Sequence, residues 1–183
     1  MKKMKRRLQI GVMGSAADLK YSKIVEKQAE EIGYWIAKNG AILIFGAEKD
    51  YDSLSTAACR GAKKGGGIAV GITYEKGLDI YEKSADVVIA TGLVRGRGRE
   101  TTLVLSCDAI ICIGGGSGTL NEIAIAYQAN ILIVVLKGSG GWSDKLAGEY
   151  LDARKRVRIV AARTPKEAAE MAIELAKEKY EKG

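Results

Sequence analysis

The chain has 183 residues, a formal net charge of +7 and no histidine; its length suits one domain with a proper buried core. Without histidine there is no Ser-His or Cys-His nucleophile and no ordinary neutral-pH general base, so any catalysis must use carboxylates, lysine, arginine or backbone amides. No apolar run approaches the roughly 18 to 20 residues that cross a bilayer, and Gln9 and the glycines of LQIGVMGSAADLK interrupt any signal-peptide core, so a soluble cytoplasmic protein is expected.

The basic start MKKMKRR reads as a solvated amino-terminal tail over residues 1–7, followed by a first strand at Leu8 to Met13. Val25, Ala29, Ile32 and Ile36 recur at helical spacing, which predicts a helix from Ser22 to Lys38 with Gly40 ending it. Further strands are expected at Ala41 to Phe45, Ile68 to Ile72, Val87 to Ala90, Ala109 to Ile113, Ile131 to Leu136 and Val157 to Val160. A short helix over Glu100 to Ser106 precedes the fifth strand. Thr164-Pro165-Lys166-Glu167 opens the last helix with a capping box and a proline in its first turn. Its apolar side is Ala168, Ala172, Leu175 and Ala176.

Strands alternating with helix-period segments predict an α/β fold: a Rossmann-like, doubly wound, mainly parallel sheet of about seven strands with helices on both faces. One domain covers 1–183. Cys59, Cys107 and Cys112 lack paired C-x-x-C spacing, so reduced buried thiols and no metal site are expected. The ARKRVR stretch around Arg154 to Arg158 has no interleaved aromatics and reads as an exposed loop, so nucleic acid is not the expected partner. Few Asn and Gln beside abundant Lys and Glu fit a thermophilic source.

In such a sheet, ligands bind at the carboxyl ends of the strands near the switch in strand order. Four loops compete there: Gly14 to Tyr21, Gly46 to Ser53, Thr91 to Glu100, and the GGGSGTLNE run from Gly114 to Glu122. The last fails two familiar tests. A dinucleotide fingerprint would need glycine where Thr119 or Asn121 stands, and a P-loop needs a lysine that the loop lacks. Glycine at Gly114, Gly115, Gly116 and Gly118, with Ser117 between them and Thr119 opening a helix, still lets backbone amides approach an anion at a positive helix end. A tight strand-to-helix turn would need only one or two of those glycines.

Glu122 has two readings. With Thr119 it has the T-x-x-E spacing of a capping box, and it also holds a carboxylate close to whatever the glycines bind. In RGRGRE, Arg95 and Arg97 read as a solvated basic loop or a clamp, while Arg99, beside the short helix, is better placed to hold an anion in fixed orientation. Gly14 and Ser15 could supply a second donor pair or form an ordinary turn. Trp142, after Lys137-Gly-Ser-Gly-Gly, could cap a planar ligand or pack on a neighbouring element. The acidic loop with Glu48, Asp50 and Asp52 reads as solvated and offsetting nearby cations.

G-G-G-S-G-T-L-N-E preceded by S-C-D-A-I-I-C-I, with Arg99 nine positions before Asp108, resembles the Lonely Guy-type phosphoribohydrolases, long labelled lysine decarboxylases, and their relatives the molybdenum-cofactor carrier proteins. IGVMGS matches the first strand and loop of that family, and the resemblance covers nearly the whole chain. It implies a phosphate-bearing nucleotide or pterin ligand on the glycine loop and a homodimer. In the hydrolases it implies Glu122 and Arg99 as the catalytic pair that cleaves the N-glycosidic bond of a nucleoside 5′-monophosphate without any cofactor. In the carriers it implies a bound molybdenum cofactor and no turnover. Gly114 stands where the hydrolases have proline, Glu100 where they have lysine, and Glu48, Asp50 and Asp52 where they have glycines. The first change is shared with the carriers, so the chain resembles the carrier-like branch.

Overall fold

The computed structural model describes residues 6–182. Seven parallel strands form one sheet: β1 (Gln9–Gly14), β2 (Ile42–Gly46), β3 (Ala69–Thr73), β4 (Val87–Ala90), β5 (Ala109–Ile113), β6 (Leu132–Leu136) and β7 (Ile159–Ala162). Their order is β4-β3-β2-β1-β5-β6-β7, so the winding reverses between β1 and β5, where Gly14 pairs with Ile113. The expected doubly wound fold is present, and every pairing is parallel.

Alternation along the strands divides the core. Ile111 and Ile113 face one layer with α1 (Lys23–Lys38), α2 (Leu54–Lys64) and α6 (Pro165–Lys182). Ile110 and Cys112 face the other with α3 (Arg99–Leu105) and α4 (Ser117–Gln128). Central strands buried on both faces read as continuous apolar runs, and β5 is buried at every residue.

Local caps fix the helix starts. Ser22 Oγ accepts from the Val25 amide at 3.2 Å, and Thr164 Oγ1 accepts from the Glu167 amide at 3.2 Å. Ser53 caps α2 in the same way, accepting from the Thr56 amide at 3.1 Å. Helices α1 and α2 touch backbone to backbone: a Cβ at Gly33 would lie 1.9 Å from the Ala58 carbonyl oxygen, and one at Gly61 1.8 Å from that of Glu30.

The seventh strand begins two residues later than expected. Pairing with β6 starts at Ile133 opposite Ile159, because the preceding residues are engaged elsewhere: the Arg156 amide donates to Tyr127 and the Arg158 side chain to the Gly148 carbonyl. No helix joins β3 to β4. The expected basic tail falls mainly on residues 1–5, outside the described residues. Arg6 pairs with Asp108 at 2.6 Å, and Arg7 donates to the Gly40 carbonyl at 2.7 Å. All three cysteines are free and buried. Among the described residues, no helix is long and apolar enough to cross a membrane.

Gly33→Ala drives a methyl into the Ala58 carbonyl, an overpacking cost of about 1–3 kcal/mol. A thermal melt should fall by about 2–4 °C for each kcal/mol in a chain of this size; an unchanged or raised melting temperature would mean the two helices do not meet at Gly33.

Candidate functional site

A cleft of about 320 Å³ opens at the carboxyl ends of β1, β2 and β5, the switch point of the sheet. Its floor and walls come from Gly14 at the end of β1 and Ser15 beyond it, Gly46 at the end of β2 and Glu48 beyond it, Arg95, Arg99 and Glu100 around the start of α3, and the first turns of α4. A 3-10 turn at Ala17–Leu19 closes one side, with Leu19 lying over Gly116.

The glycine loop divides into two parts with different tasks. Gly114 and Gly115 adopt positive φ, +62° and +100°, so side chains are disfavoured there. Their amides are already used: Gly114 donates to Ser139 Oγ at 2.8 Å and Gly115 to Ser15 Oγ at 2.8 Å. Their carbonyls accept from the amides of Ser143 and Trp142, both at 3.0 Å. Gly114 and Gly115 therefore shape the turn and offer no free amide donors. Ser15 lines the cleft, and while its hydroxyl oxygen accepts from Gly115, its O–H has no acceptor among the described residues.

The second part is open. Gly116 is the N-cap of α4 and gives no side-chain cap. The amides of Ser117, Gly118 and Thr119 therefore point out of the first turn with no acceptor among the described residues. A Cβ at Gly118 would meet nothing within 4 Å. Unpaired first-turn amides and the positive end of the helix dipole together make an anion site.

Helix α4 starts at Ser117, so Thr119 is its third residue and Glu122 its sixth. This removes the capping-box reading of Thr119 and Glu122, which requires threonine at the cap itself. The Glu122 side chain instead lies on the cleft wall, 8% exposed, with no hydrogen bond or ion pair among the described residues.

Arg99 is buried, and three of its five N–H groups have acceptors. Its Nη2 donates to Glu48 Oε1 at 3.0 Å, its Nε to Glu100 Oε1 at 3.1 Å and its Nη1 to the Ile72 carbonyl at 3.4 Å. Gly46 makes room for it: a Cβ there would lie 2.3 Å from Arg99 Nη1. Arg95 pairs with the other Glu48 oxygen at 3.0 Å and lies over the Tyr51 ring at 5.2 Å. Arg97 is exposed. Glu48 is thus buried between two arginines; it offsets cations as expected, but it is not part of a solvated loop.

These pairings leave two arginines matched by Glu48 and Glu100, with no third cation for Glu122. Burial pushes the Glu122 carboxyl up to about 8, Glu100 and Glu48 adding to the rise and Arg99 and Arg95 opposing it. Burial also acts on Glu100, but the nearby amides of Gly96 and Glu100 and the Arg99 guanidinium hold it below the usual carboxylate range. Glu122 is therefore mainly a neutral acid at pH 7, and Glu48 and Glu100 are the charged partners of Arg99.

Trp142 does not line the cleft. Helix α5 (Gly141–Lys145) docks on the glycine loop through the Trp142 and Ser143 amides, and Asp144 holds the loop before it by accepting from Gly138 at 2.6 Å and Gly140 at 3.0 Å. The ARKRVR run is exposed apart from Val157 and contributes nothing to the cleft. The Gly46 to Ser53 loop was among those expected at the site, but the roles of Gly46, Glu48 and Ser139 in it were not. A glycine at a strand end followed two positions later by an acid was the available signal for the first two.

The model of the SLOG cluster4 family matches residues 7–169. The chain belongs to that family. A relative in Archaeoglobus fulgidus, an uncharacterised protein, is 36% identical over 130 residues, 71% of this chain and 80% of its own. The molybdenum cofactor binding protein of the phototrophic bacterium Rippkaea orientalis is 29% identical with a TM-score of 0.77, over 97% of this chain and 99% of that one. The molybdenum cofactor carrier protein of Chlamydomonas reinhardtii is 28% identical with a TM-score of 0.78, over 94% and 99%. The Lonely Guy and carrier-like grouping expected from the motif is thus the correct one.

For a carboxyl near pH 4.3 in the unfolded chain and near 8 in the folded one, the folded state holds the extra proton between those values. Stability from Glu122 is then full below about pH 4.3 and is lost as pH rises towards 8. Glu122→Gln should raise the melting temperature at pH 8 by several degrees and leave it unchanged near pH 4.5; equal shifts at both values would remove the buried-acid assignment.

Proposed function

We propose that this protein binds a small phosphate ester on a pterin-type ring, as a molybdenum-cofactor carrier does, and does not turn it over. The observation that carries this reading is the occupation of Arg99. In a phosphoribohydrolase the arginine and glutamate act as a pair on the sugar, but here Arg99 is held in ion pairs with Glu48 and Glu100. Glu122, largely protonated, lacks the charge that would stabilise an oxocarbenium-like state. Phosphate binding needs neither residue, because the Ser117, Gly118 and Thr119 amides supply donors that the chain leaves unpaired. The full-length likeness to two proteins named for binding molybdenum cofactor favours the same ligand class.

One observation favours a second reading, hydrolysis of nucleoside 5′-monophosphates. A neutral acid on the cleft wall can protonate a departing base while water adds to the sugar carbon. The two readings separate in one assay. With a pterin monophosphate the protein should show saturable binding by fluorescence; with AMP it should release neither adenine nor ribose 5-phosphate. Base release that disappears in Glu122→Gln would establish the hydrolase instead.

Gly118→Glu places a carboxylate over the first-turn amides in open space. Titration should show pterin monophosphate affinity lower by about tenfold or more, some 1.4 kcal/mol, with an unchanged circular-dichroism melt. Unaltered affinity would move the phosphate away from α4.

A further inference from the structure

The geometry points to Glu122 as the cleft's hydrogen-bond donor, a neutral carboxyl that recognises an acceptor atom on the ring next to the ligand's phosphate, so that binding requires one proton on the protein. This rests on the phosphate-ester reading above and names which feature of the ligand the site selects.

Three observations carry it. Glu122 is nine-tenths buried, opens only to the cleft and has no partner among the described residues. An unpaired carboxyl in that position is costly unless a ligand satisfies it. Its place on α4 is set three residues beyond Thr119, about 4.5 Å along the helix axis at the usual rise. A phosphate seated on the first-turn amides therefore brings the next ring of its ester, and not a distant part of the ligand, against Glu122. Apart from Asp18, the charges around the carboxyl are already paired with one another. Arg99 and Glu100 of α3 and Glu48 after β2 pair with one another, and Arg95 of the preceding loop pairs with Glu48. Asp18 from the 3-10 turn lines the same cleft, and the remaining titratable neighbours are the buried thiols Cys107 after α3 and Cys112 of β5, which burial keeps protonated.

A negative Glu122 would therefore add a second uncompensated charge to that of Asp18 and face an incoming phosphate. A neutral one adds no charge and supplies an O–H. The burial-driven rise of its titration to about 8 agrees with this balance. The chemical consequence is selectivity. An ionised carboxylate accepts hydrogen bonds and suits the hydroxyls of a ribose, whereas a neutral acid can also donate to ring oxygen or nitrogen atoms that only accept.

The test is affinity for a pterin monophosphate between pH 7 and 10, by fluorescence titration, in the wild type, Glu122→Gln and Glu122→Leu. Wild-type affinity should fall about tenfold per pH unit above pH 8, the signature of one required proton. Glu122→Gln, which donates at every pH, should show no such fall, and Glu122→Leu should bind weakly throughout. In the ligand-free protein, a 13C-carboxyl resonance of Glu122 should titrate near 8. A fall that persists in Glu122→Gln would assign the proton to the ligand ring and overturn the inference. So would a Glu122 resonance that titrates near 4.5. Absence of pterin monophosphate binding at every pH would remove the carrier reading, and the donor role with it; pH-independent binding would leave the carrier reading intact and remove only the donor role.

Discussion

The site depends on one buried arrangement: the Arg99 guanidinium held between Glu48 and Glu100, with a third bond to the Ile72 carbonyl. Removing a guanidinium from water is tolerable only when its donors are taken up by close acceptors, and here they come from three parts of the chain. Glu48 arrives from the loop after β2, Glu100 from α3 itself, and Ile72 from the end of β3. Gly46 supplies the space, since any side chain there would collide with the guanidinium. The cluster thus fixes the wall of the cleft opposite α4, and by matching its own charges it sets the conditions in which Glu122 loses its proton late.

The opposite wall is built by a separate device. Ser15 and Ser139 take up the amides of Gly115 and Gly114, while the Trp142 and Ser143 amides take up their carbonyls. With these four backbone groups satisfied inside the protein, the turn is held at positive φ and α4 is aimed at the cleft. The first-turn amides of α4 have no acceptor among the described residues. One wall presents donors with no charge, and the other presents charges that cancel. A phosphate ester bound as proposed would gain the helix-end donors without having to break an ion pair.

Much of the fold was legible because its signals are local. The central strands are unbroken apolar runs, the first helix has its Ser22 cap and 3.6-residue stripe, and the last has its Thr164 box. Strand β7 shifted because an edge strand starts where its neighbour's hydrogen bonds begin, and apolar Val157 at 8% exposure is buried without pairing there. The family was readable from the resemblance carried by G-G-G-S-G-T-L-N-E and S-C-D-A-I-I-C-I, which also singled out Arg99 and Glu122. What Arg99 and Glu122 do was not, because each is decided by residues distant in sequence. Glu48 is 51 positions from Arg99 and holds it at 3.0 Å. The choice between cap and cleft residue for Glu122 turned on whether the N-cap of α4 is Gly116 or Thr119, a difference that glycine-rich sequence does not specify. Ser15 meeting Gly115 across 100 residues is likewise a product of the β1–β5 switch point and not of either loop alone.

The central claim is that a ligand phosphate is held by α4 while Arg99 stays with its carboxylates. A crystal structure with a bound pterin monophosphate tests it most directly. The account predicts phosphate oxygens within hydrogen-bond distance of the Ser117, Gly118 and Thr119 amides, and Arg99 still bridging Glu48 and Glu100. An Arg99 guanidinium swung away from both carboxylates onto the phosphate or sugar would contradict it.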